Sequence, residues 1–295
     1  MPVGRIVRSI AGFFYVEPVE SDGKLIECAA RGKLKYQSEA LVVGDWVDYE
    51  LEETKGVITR VHPRENLLKR PYIANVNLIV LVFAHTNPDP NDLLMAKFLV
   101  LAESSGIPYM IVFNKTDLVS KRKANQLAEK YRNYGYKVLC TSVVSHLGKR
   151  KLQQELAGKV AVFAGPSGVG KSALLNMVSP GLELRTGAVS EKIGRGKHTT
   201  REVQLLKTRQ NGYIADTPGF TQIDLDFIEP QQLSDYFPEF ESFKEYCKFS
   251  TCCHDAEPQC GVKQAVSECK VDEMRYQNYL ELLAEVRKFY KNRYR

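Results

Sequence analysis

The 295-residue chain is predicted to contain a small all-β segment, an α/β domain and a short cysteine-rich helical segment. Three observations predict this. Residues 1 to 68 hold five short strand-like runs broken by turn residues. Beyond them, apolar strand runs alternate with amphipathic helical stretches. Near the C-terminus, four of the seven cysteines crowd between Cys247 and Cys260. Composition sets outer bounds. Hydrophobic content of 44% and charged content of 26% are ordinary for a globular protein. No apolar run approaches the ~20 residues of a membrane span. The net charge of +6 permits polyanion binding where the excess clusters. An odd, crowded set of cysteines argues for a metal in a reducing compartment, so a cytoplasmic location is expected. The apolar segment Ile10 to Val16 has no small-x-small cleavage motif and runs into Glu17-Pro18, so it is not expected to act as a signal peptide.

In the first segment the strand-like runs are Gly4 to Val16, Leu25 to Ala29, Lys33 to Tyr36, Asp45 to Tyr49 and Gly56 to Val61. Five short strands in this length suit a small closed barrel such as an OB-fold. Arg31, Lys33, Lys35 and Tyr36 give one surface the charge and aromatic platform that an oligonucleotide binder uses, or they are simply solvated strand positions. Asn66 to Tyr72, with Arg64, Lys69 and Arg70, reads as a linker. The α/β domain follows with strands at Leu78 to Ala84, Tyr109 to Phe113 and Lys137 to Cys140, and helices at Asn91 to Ser104, Lys121 to Tyr134 and Lys149 to Leu156. Repeated βα units imply a mainly parallel sheet with its ligand at the carboxyl ends of the strands.

The apolar run Val160 to Ala164 leads into Gly165-Pro166-Ser167-Gly168-Val169-Gly170-Lys171-Ser172 and then a helix to about Val178. Strand, glycine-rich turn and helix is the setting of a phosphate-binding loop, not of a chance match. The glycines let successive N–H groups face phosphate oxygens in front of the positive helix end. Lys171 is placed to reach the β- and γ-phosphates, and the Ser172 hydroxyl to ligate Mg²⁺.

Asn114-Lys115-Thr116-Asp117 closes an earlier strand. A buried carboxylate at Asp117 would accept hydrogen bonds from guanine N1–H and the exocyclic amine, a donor pair that adenine lacks. Asn114 would fix the loop, and the stem of Lys115 would cover the base. Ser142, in Cys140-Thr141-Ser142-Val143, starts a loop whose backbone supports guanine O6. Strands at Arg201 to Lys207 and Tyr213 to Ala215 lead to Asp216-Thr217-Pro218-Gly219. There Asp216 would hold a Mg²⁺-bound water, and the Gly219 N–H would sense the γ-phosphate. In the glycine-rich stretch Gly187 to Thr200, Thr200 is the expected switch ligand to Mg²⁺. The base-reading motif precedes the phosphate loop, whereas in most GTPases it follows. A βα sheet tolerates this cut because its loops converge in space. The segment after Asp216 to Gly219 then leads directly into the C-terminal segment, which suggests a nucleotide switch coupled to it.

Cys247, Cys252, His254 and Cys260 offer three thiolates and an imidazole, a closed tetrahedral shell for a structural Zn²⁺. Cys253 is a rival ligand, although adjacent cysteines rarely both reach one metal. Val271 to Tyr294 reads as a closing helix. Its Tyr276, Tyr279, Leu280, Leu283, Val286, Phe289 and Tyr290 form a packing stripe rather than an RNA-stacking face. Its basic end, Arg287, Lys288, Lys291, Arg293 and Arg295, suits the helix dipole, RNA phosphates or plain solvent.

The motif order, the N-terminal barrel and the cysteine cluster together closely resemble the RsgA/YjeQ family across essentially the whole chain. The resemblance implies a circularly permuted P-loop GTPase domain over 69–224, an N-terminal OB-fold β-barrel over 1–68 and a C-terminal zinc-binding helical domain over 225–295. It implies GTP hydrolysis, slow alone and stimulated by the small ribosomal subunit, with binding to that subunit and its 16S rRNA late in maturation. Hydrolysis would be coupled to release or checking of the subunit, and a monomer is expected. It matches the four zinc ligands residue for residue. Phe220 stands where many GTPases use Gln to orient water, and a phenyl ring cannot do so. His198 is the internal candidate for that role, and the resemblance points there too; a solvent-exposed histidine without a role is the alternative. Two other readings compete. One is a non-catalytic RNA-binding adaptor holding GTP as a structural ligand; the other is a metabolic kinase, which Asn114 to Asp117 argues against.

Overall fold

In this computed structural model the described residues are 1–20, 23–32, 40–52, 55–69, 71–182, 203–216 and 225–293. The chain divides into two units: Met1–Val80 with Lys149–Phe163 and Lys171–Phe220, and Leu81–Gly148 with Ala164–Gly170 and Thr221–Arg295.

In the first unit, the predicted run Gly4 to Val16 is a hairpin rather than one strand. β1 (Val3–Ile10) and β2 (Phe13–Pro18) pair antiparallel across a turn at Ala11 and Gly12, both at positive φ. β3 (Ile26–Ala30), β4 (Trp46–Glu52) and β5 (Lys55–Val61) complete five strands. Pairing in the order β1-β2-β3-β5-β4, with β4 returning to β1, closes a barrel around Ile6, Val16, Cys28, Val47 and Ile58, all 0% exposed. The predicted strand Lys33 to Tyr36 lies outside the described residues.

The predicted linker is instead a second hairpin, β6 (Leu67–Lys69) with β7 (Tyr72–Ala74). Polar contacts tie it to the barrel. Arg64 grips the fully buried Asp45 carboxylate through Nε at 2.6 Å and Nη2 at 2.9 Å. Asn75 donates to the Gly44 carbonyl at 3.0 Å. Composition could not show this, because an Arg- and Lys-bearing stretch looks solvated until its carboxylate partner is placed.

β8 (Leu78–Ala84) is buried throughout, and its first three residues belong to this unit. α3 (Lys149–Leu156) belongs to this unit and follows, in the chain, α1 (Asp92–Ser104) and α2 (Lys121–Asn133) of the other. β11 (Val160–Ala164) pairs in parallel with β13 (Tyr213–Asp216), and β12 (Gln204–Lys207) pairs antiparallel with β13. β1 then pairs with β12 at Arg8↔Gln204, so the barrel continues the sheet of β11 to β13. Glu17, 6% exposed, accepts from the Tyr213 hydroxyl at 2.9 Å and from Lys207. The Arg5 guanidinium lies 4.2 Å from the Trp46 ring centroid and 5.3 Å from that of Tyr213. α4 (Lys171–Val178) follows the glycine-rich loop in the chain.

In the second unit, β9 (Tyr109–Asn114) and β10 (Val138–Cys140) pair in parallel at Ile111↔Val138. Asn91 caps α1 by accepting from the Leu94 N–H at 2.8 Å, and Ser120 caps α2 at Lys123. Between them Phe83, Phe98, Phe113 and Tyr131 form an aromatic core with centroid separations of 5.6 to 6.4 Å. Each such ring contributes about 1.5–3 kcal/mol on burial. The C-terminal segment adds short helical turns at Leu233–Tyr236, Pro238–Phe240 and Glu241–Lys244, then α5 (Gly261–Ser267) and the long α6 (Glu273–Arg293). α6 docks on α1, where Lys97 meets Glu285 at 2.5 Å. Its buried residues are Arg275, Tyr276, Asn278, Tyr279, Leu282, Leu283 and Val286; of the predicted stripe, Tyr276, Tyr279, Leu283 and Val286 are buried, whereas Leu280, Phe289 and Tyr290 are half-buried.

Candidate functional site

Three loops of the second unit converge beyond the carboxyl ends of their strands. Val160 to Ala164 ends at Gly165, whose φ of 139° is open to glycine and where a Cβ would sit 2.1 Å from the Val82 carbonyl oxygen. Gly170 is equally constrained, because a Cβ there would come within 2.5 Å of the Asn114 amide nitrogen. These two glycines let the loop press against its neighbours; larger residues would displace it.

Asn114 is the buried centre of the arrangement. Its Nδ2 donates to the Val169 carbonyl at 2.9 Å, and its Oδ1 accepts from the Thr141 hydroxyl at 3.2 Å. The Thr116 N–H donates to the Thr141 carbonyl at 3.1 Å. Lys115, in the left-handed region at φ 59°, donates through Nζ to the Gly168 carbonyl at 2.8 Å and to the Asn87 carbonyl. Ser142 is buried, and its hydroxyl accepts from the Ser145 N–H at 3.1 Å. The loops predicted to read a base and to cradle phosphates are therefore fastened side chain to backbone.

Asp117, expected as a buried carboxylate, is exposed in a one-turn 3₁₀ segment, Thr116–Leu118. Its backbone turn, not a core, places it. Pro166, Ser167 and Gly168 lie in the same loop, with Ser167 and Gly168 forming its turn. Lys171 and Ser172 open α4, which the chain enters directly from Gly170. Burial lowers the Lys171 pKa, a setting in which anionic oxygens favour the ammonium. Asp216 ends β13. His198, Thr199, Thr200, Gly219 and Phe220 lie outside the described residues, as do Lys33, Lys35 and Tyr36; Arg31 is exposed. The sequence reading missed Thr141, which carries Asn114, and the turn after β8, which meets Lys115. An Asn87-Pro88-Asp89-Pro90 run at a strand end was the available signal.

Cys247, Cys252, His254 and Cys260 place one donor atom each within 4.8 Å of one another. His254 Nδ1 lies 3.5 Å from Cys247 Sγ and 3.3 Å from Cys260 Sγ, and the two sulfurs are 3.9 Å apart. A tetrahedral zinc requires about 3.6 Å for N···S and about 3.8 Å for S···S, so the donor set fits one ion. Cys253 is not among these donors, and its thiol faces the Thr251 carbonyl. The loop is clamped by α6, since the Tyr276 hydroxyl donates to the His254 carbonyl at 2.7 Å and that of Tyr279 to the Cys253 carbonyl at 2.6 Å. Arg287 meets Asp255 at 2.6 Å, so part of the basic helix end holds this loop. Among the described residues no helix is long and apolar enough to cross a membrane.

Comparison with known proteins follows the same outline. Residues 61–226 match the model of the RsgA GTPase family, and residues 3–58 match that of the RsgA N-terminal domain. A protein of Alkaliphilus metalliredigens named small ribosomal subunit biogenesis GTPase RsgA is 42% identical over 98% of this chain and 99% of its own. One of the same name from a Geobacillus species is 45% identical over 97% and 98%. The crystal structure of YjeQ from Thermotoga maritima superposes with a TM-score of 0.84 at 38% identity, over 97% of this chain and 98% of that one. YloQ, described as a circularly permuted GTPase, gives 0.81 at 36%, over 98% and 96%. The fold is a circularly permuted P-loop GTPase domain with an N-terminal OB-like barrel and a helical C-terminal segment bearing the cluster of three cysteines and a histidine.

Proposed function

The chain belongs to the RsgA family of GTPases, and from that premise we propose that the fastened loops bind GTP and that its hydrolysis serves maturation of the small ribosomal subunit. Membership makes the protein a GTP hydrolase. The observation that carries the site assignment is the Asn114 side chain, which ties the base-reading loop to the phosphate loop through Val169.

In this reading Asp117 accepts from guanine N1–H and the exocyclic amine, with Thr116 and Ser142 framing the base and the Lys115 stem lying over it. Backbone N–H groups of residues 167–170 point at phosphate oxygens, Pro166 having none to give, and Lys171 neutralises charge that grows there as the γ-phosphoryl leaves. Hydroxyls at Ser172 and Thr200 and the carboxylate of Asp216 are hard oxygen donors suited to Mg²⁺. When bound with GTP, that ion shields the phosphate charge. Gly219 reports the γ-phosphate, and His198 orients the attacking water, since Phe220 cannot.

The cluster at Cys247, Cys252, His254 and Cys260 holds one structural Zn²⁺. Three modules follow, over 1–68, 69–224 and 225–295. The barrel and the basic end of α6 contact 16S rRNA, the protein acts as a cytoplasmic monomer late in maturation, and GTP hydrolysis releases or checks the subunit. The relatives' names and the net charge of +6 support this partner. The test is GTP turnover measured alone, with small subunits, with large subunits and with naked RNA. Stimulation by small subunits specifically is expected; equal stimulation by large subunits or free RNA would sink the partner assignment.

A further inference from the structure

We infer that the turn Thr86 to Asp89, which belongs to none of the nucleotide motifs, is a positioning element of the guanine site. It holds Lys115 and the phosphate loop in register and so sets how long the nucleotide stays bound. The inference rests on the site assignment proposed above.

β8 ends at Ala84, and the His85 N–H donates to the Asn114 carbonyl at 2.9 Å, so the chain leaving β8 runs beside the chain leaving β9. The Thr86 hydroxyl then donates to Asp89 Oδ1 at 2.7 Å and closes the turn. At its tip the Asn87 carbonyl accepts from Lys115 Nζ, the ammonium that also donates to the Gly168 carbonyl at 2.8 Å. One cation thus bridges carbonyls of two separate loops. Pro88 stands alongside, its Cδ 3.7 Å from where a Cβ on Gly168 would sit.

A lysine stem has four rotatable bonds, and one acceptor leaves it several ways to lie. Two acceptors on different loops select one course, which turns the stem into a fixed wall for a base and removes an ordering cost from binding. Asn87, Pro88 and Asp89 are exposed. The turn therefore buries little that would stabilise a core, and what it does hold is the lysine, which in turn holds the Gly168 carbonyl of the phosphate loop.

Thr86→Val and Asp89→Ala break the closing bond, whereas Thr86→Ser and Asp89→Asn keep a donor and an acceptor. Release of a fluorescent GDP, followed by stopped flow, is expected to accelerate about tenfold in the first pair. The KM for GTP should rise more than kcat falls, and the second pair should restore both. Unchanged release in Thr86→Val and Asp89→Ala, with only a lower melting temperature, would overturn the inference. Should both fail to fold, Pro88→Ala decides by the same measure, since it removes the ring from Gly168. Failure of the underlying site assignment looks different: Asp117→Asn would then not move preference toward xanthosine nucleotides, whatever the turn variants do.

Discussion

Arg275 Nη2 donates to the Tyr136 hydroxyl at 2.6 Å, joining α6 to the turn that precedes β10. The same guanidinium pairs through Nε with Glu239 and lies 4.2 Å from the Phe237 ring centroid. Burial works against the charge, yet Tyr136 and Glu239 outweigh it and raise the arginine's pKa. Within the second unit, the C-terminal segment is thus fastened to the α2–β10 connection by a desolvated cation as well as by apolar packing.

Replacing Arg275 by Met should cost about 3–5 kcal/mol, because the Glu239 carboxylate and the Tyr136 hydroxyl would stay buried without it. Arg275→Lys should lose less, keeping charge but not the planar fork. Urea denaturation reads both. A Met variant within 1 kcal/mol of the parent would show, on the scale of weak ion pairs, that this hub contributes nothing.

Burial pushes the Cys252 thiol up to about 12 and raises that of Cys260. Loading Zn²⁺ must therefore expel protons, and apparent affinity should fall steeply as pH drops. A chelator should change the near-ultraviolet signal of Tyr276 and Tyr279, which clamp the metal loop, and spare the emission of Trp46, the single tryptophan. Loss of both signals together would mean that the metal supports more than its own segment.

Burial first, and then the Glu17 carboxylate, push the Tyr213 pKa from 10 up to about 12. A group raised on folding stabilises fully below its unfolded pKa and loses that contribution as pH climbs through the folded one. The parent should therefore shed stability between pH 10 and about 12 that Tyr213→Phe does not shed. Thermal melts across that window, compared pairwise, measure the difference. Parallel curves would exclude the Glu17–Tyr213 pair as its source.

Asp117→Asn should lower GTP affinity by about 10⁴ and recover binding with xanthosine triphosphate. Asn114→Ala should weaken every nucleotide alike, because it frees Val169 and Thr141 rather than removing a base contact. Competition binding with GTP, XTP and ATP separates the two patterns.

His198→Ala should leave GTP affinity in place and cut turnover by about 10²–10⁴ when small ribosomal subunits are added. Unaltered stimulated turnover would remove the imidazole from the mechanism and assign water positioning to the partner.

Strand runs such as Leu78 to Ala84 and the helix Lys149 to Leu156 were legible to the residue, since burial on one or both faces writes a period into the sequence. The loops at Asn114 and at Gly165 to Gly170 were legible as motifs, because such motifs fix residue types at fixed spacing, and the structure brings the two together at Asn114 and Val169. The β6–β7 hairpin was not, because its anchors are Arg64 on Asp45 and Asn75 on Gly44, contacts between segments that no local pattern records. Arg275 was hidden for a related reason. A helical stripe is counted in apolar residues, and a cation satisfied by Glu239 and Tyr136 looks solvated until the fold delivers its partners. Asp117 shows the reverse, a carboxylate expected to be buried in a base-binding pocket that a one-turn segment holds at the surface.

The pairing of β1 with β12 has a further consequence. β13 occupies one margin of β12, and β1 covers the other. Trimming away the first 65 residues would leave that margin with bare N–H and C=O groups, a template on which a strand from another copy can add. Besides whatever it binds, the barrel then acts as a guard against self-assembly into fibrous or clumped material, and a shortened chain should be judged first by whether it stays dispersed.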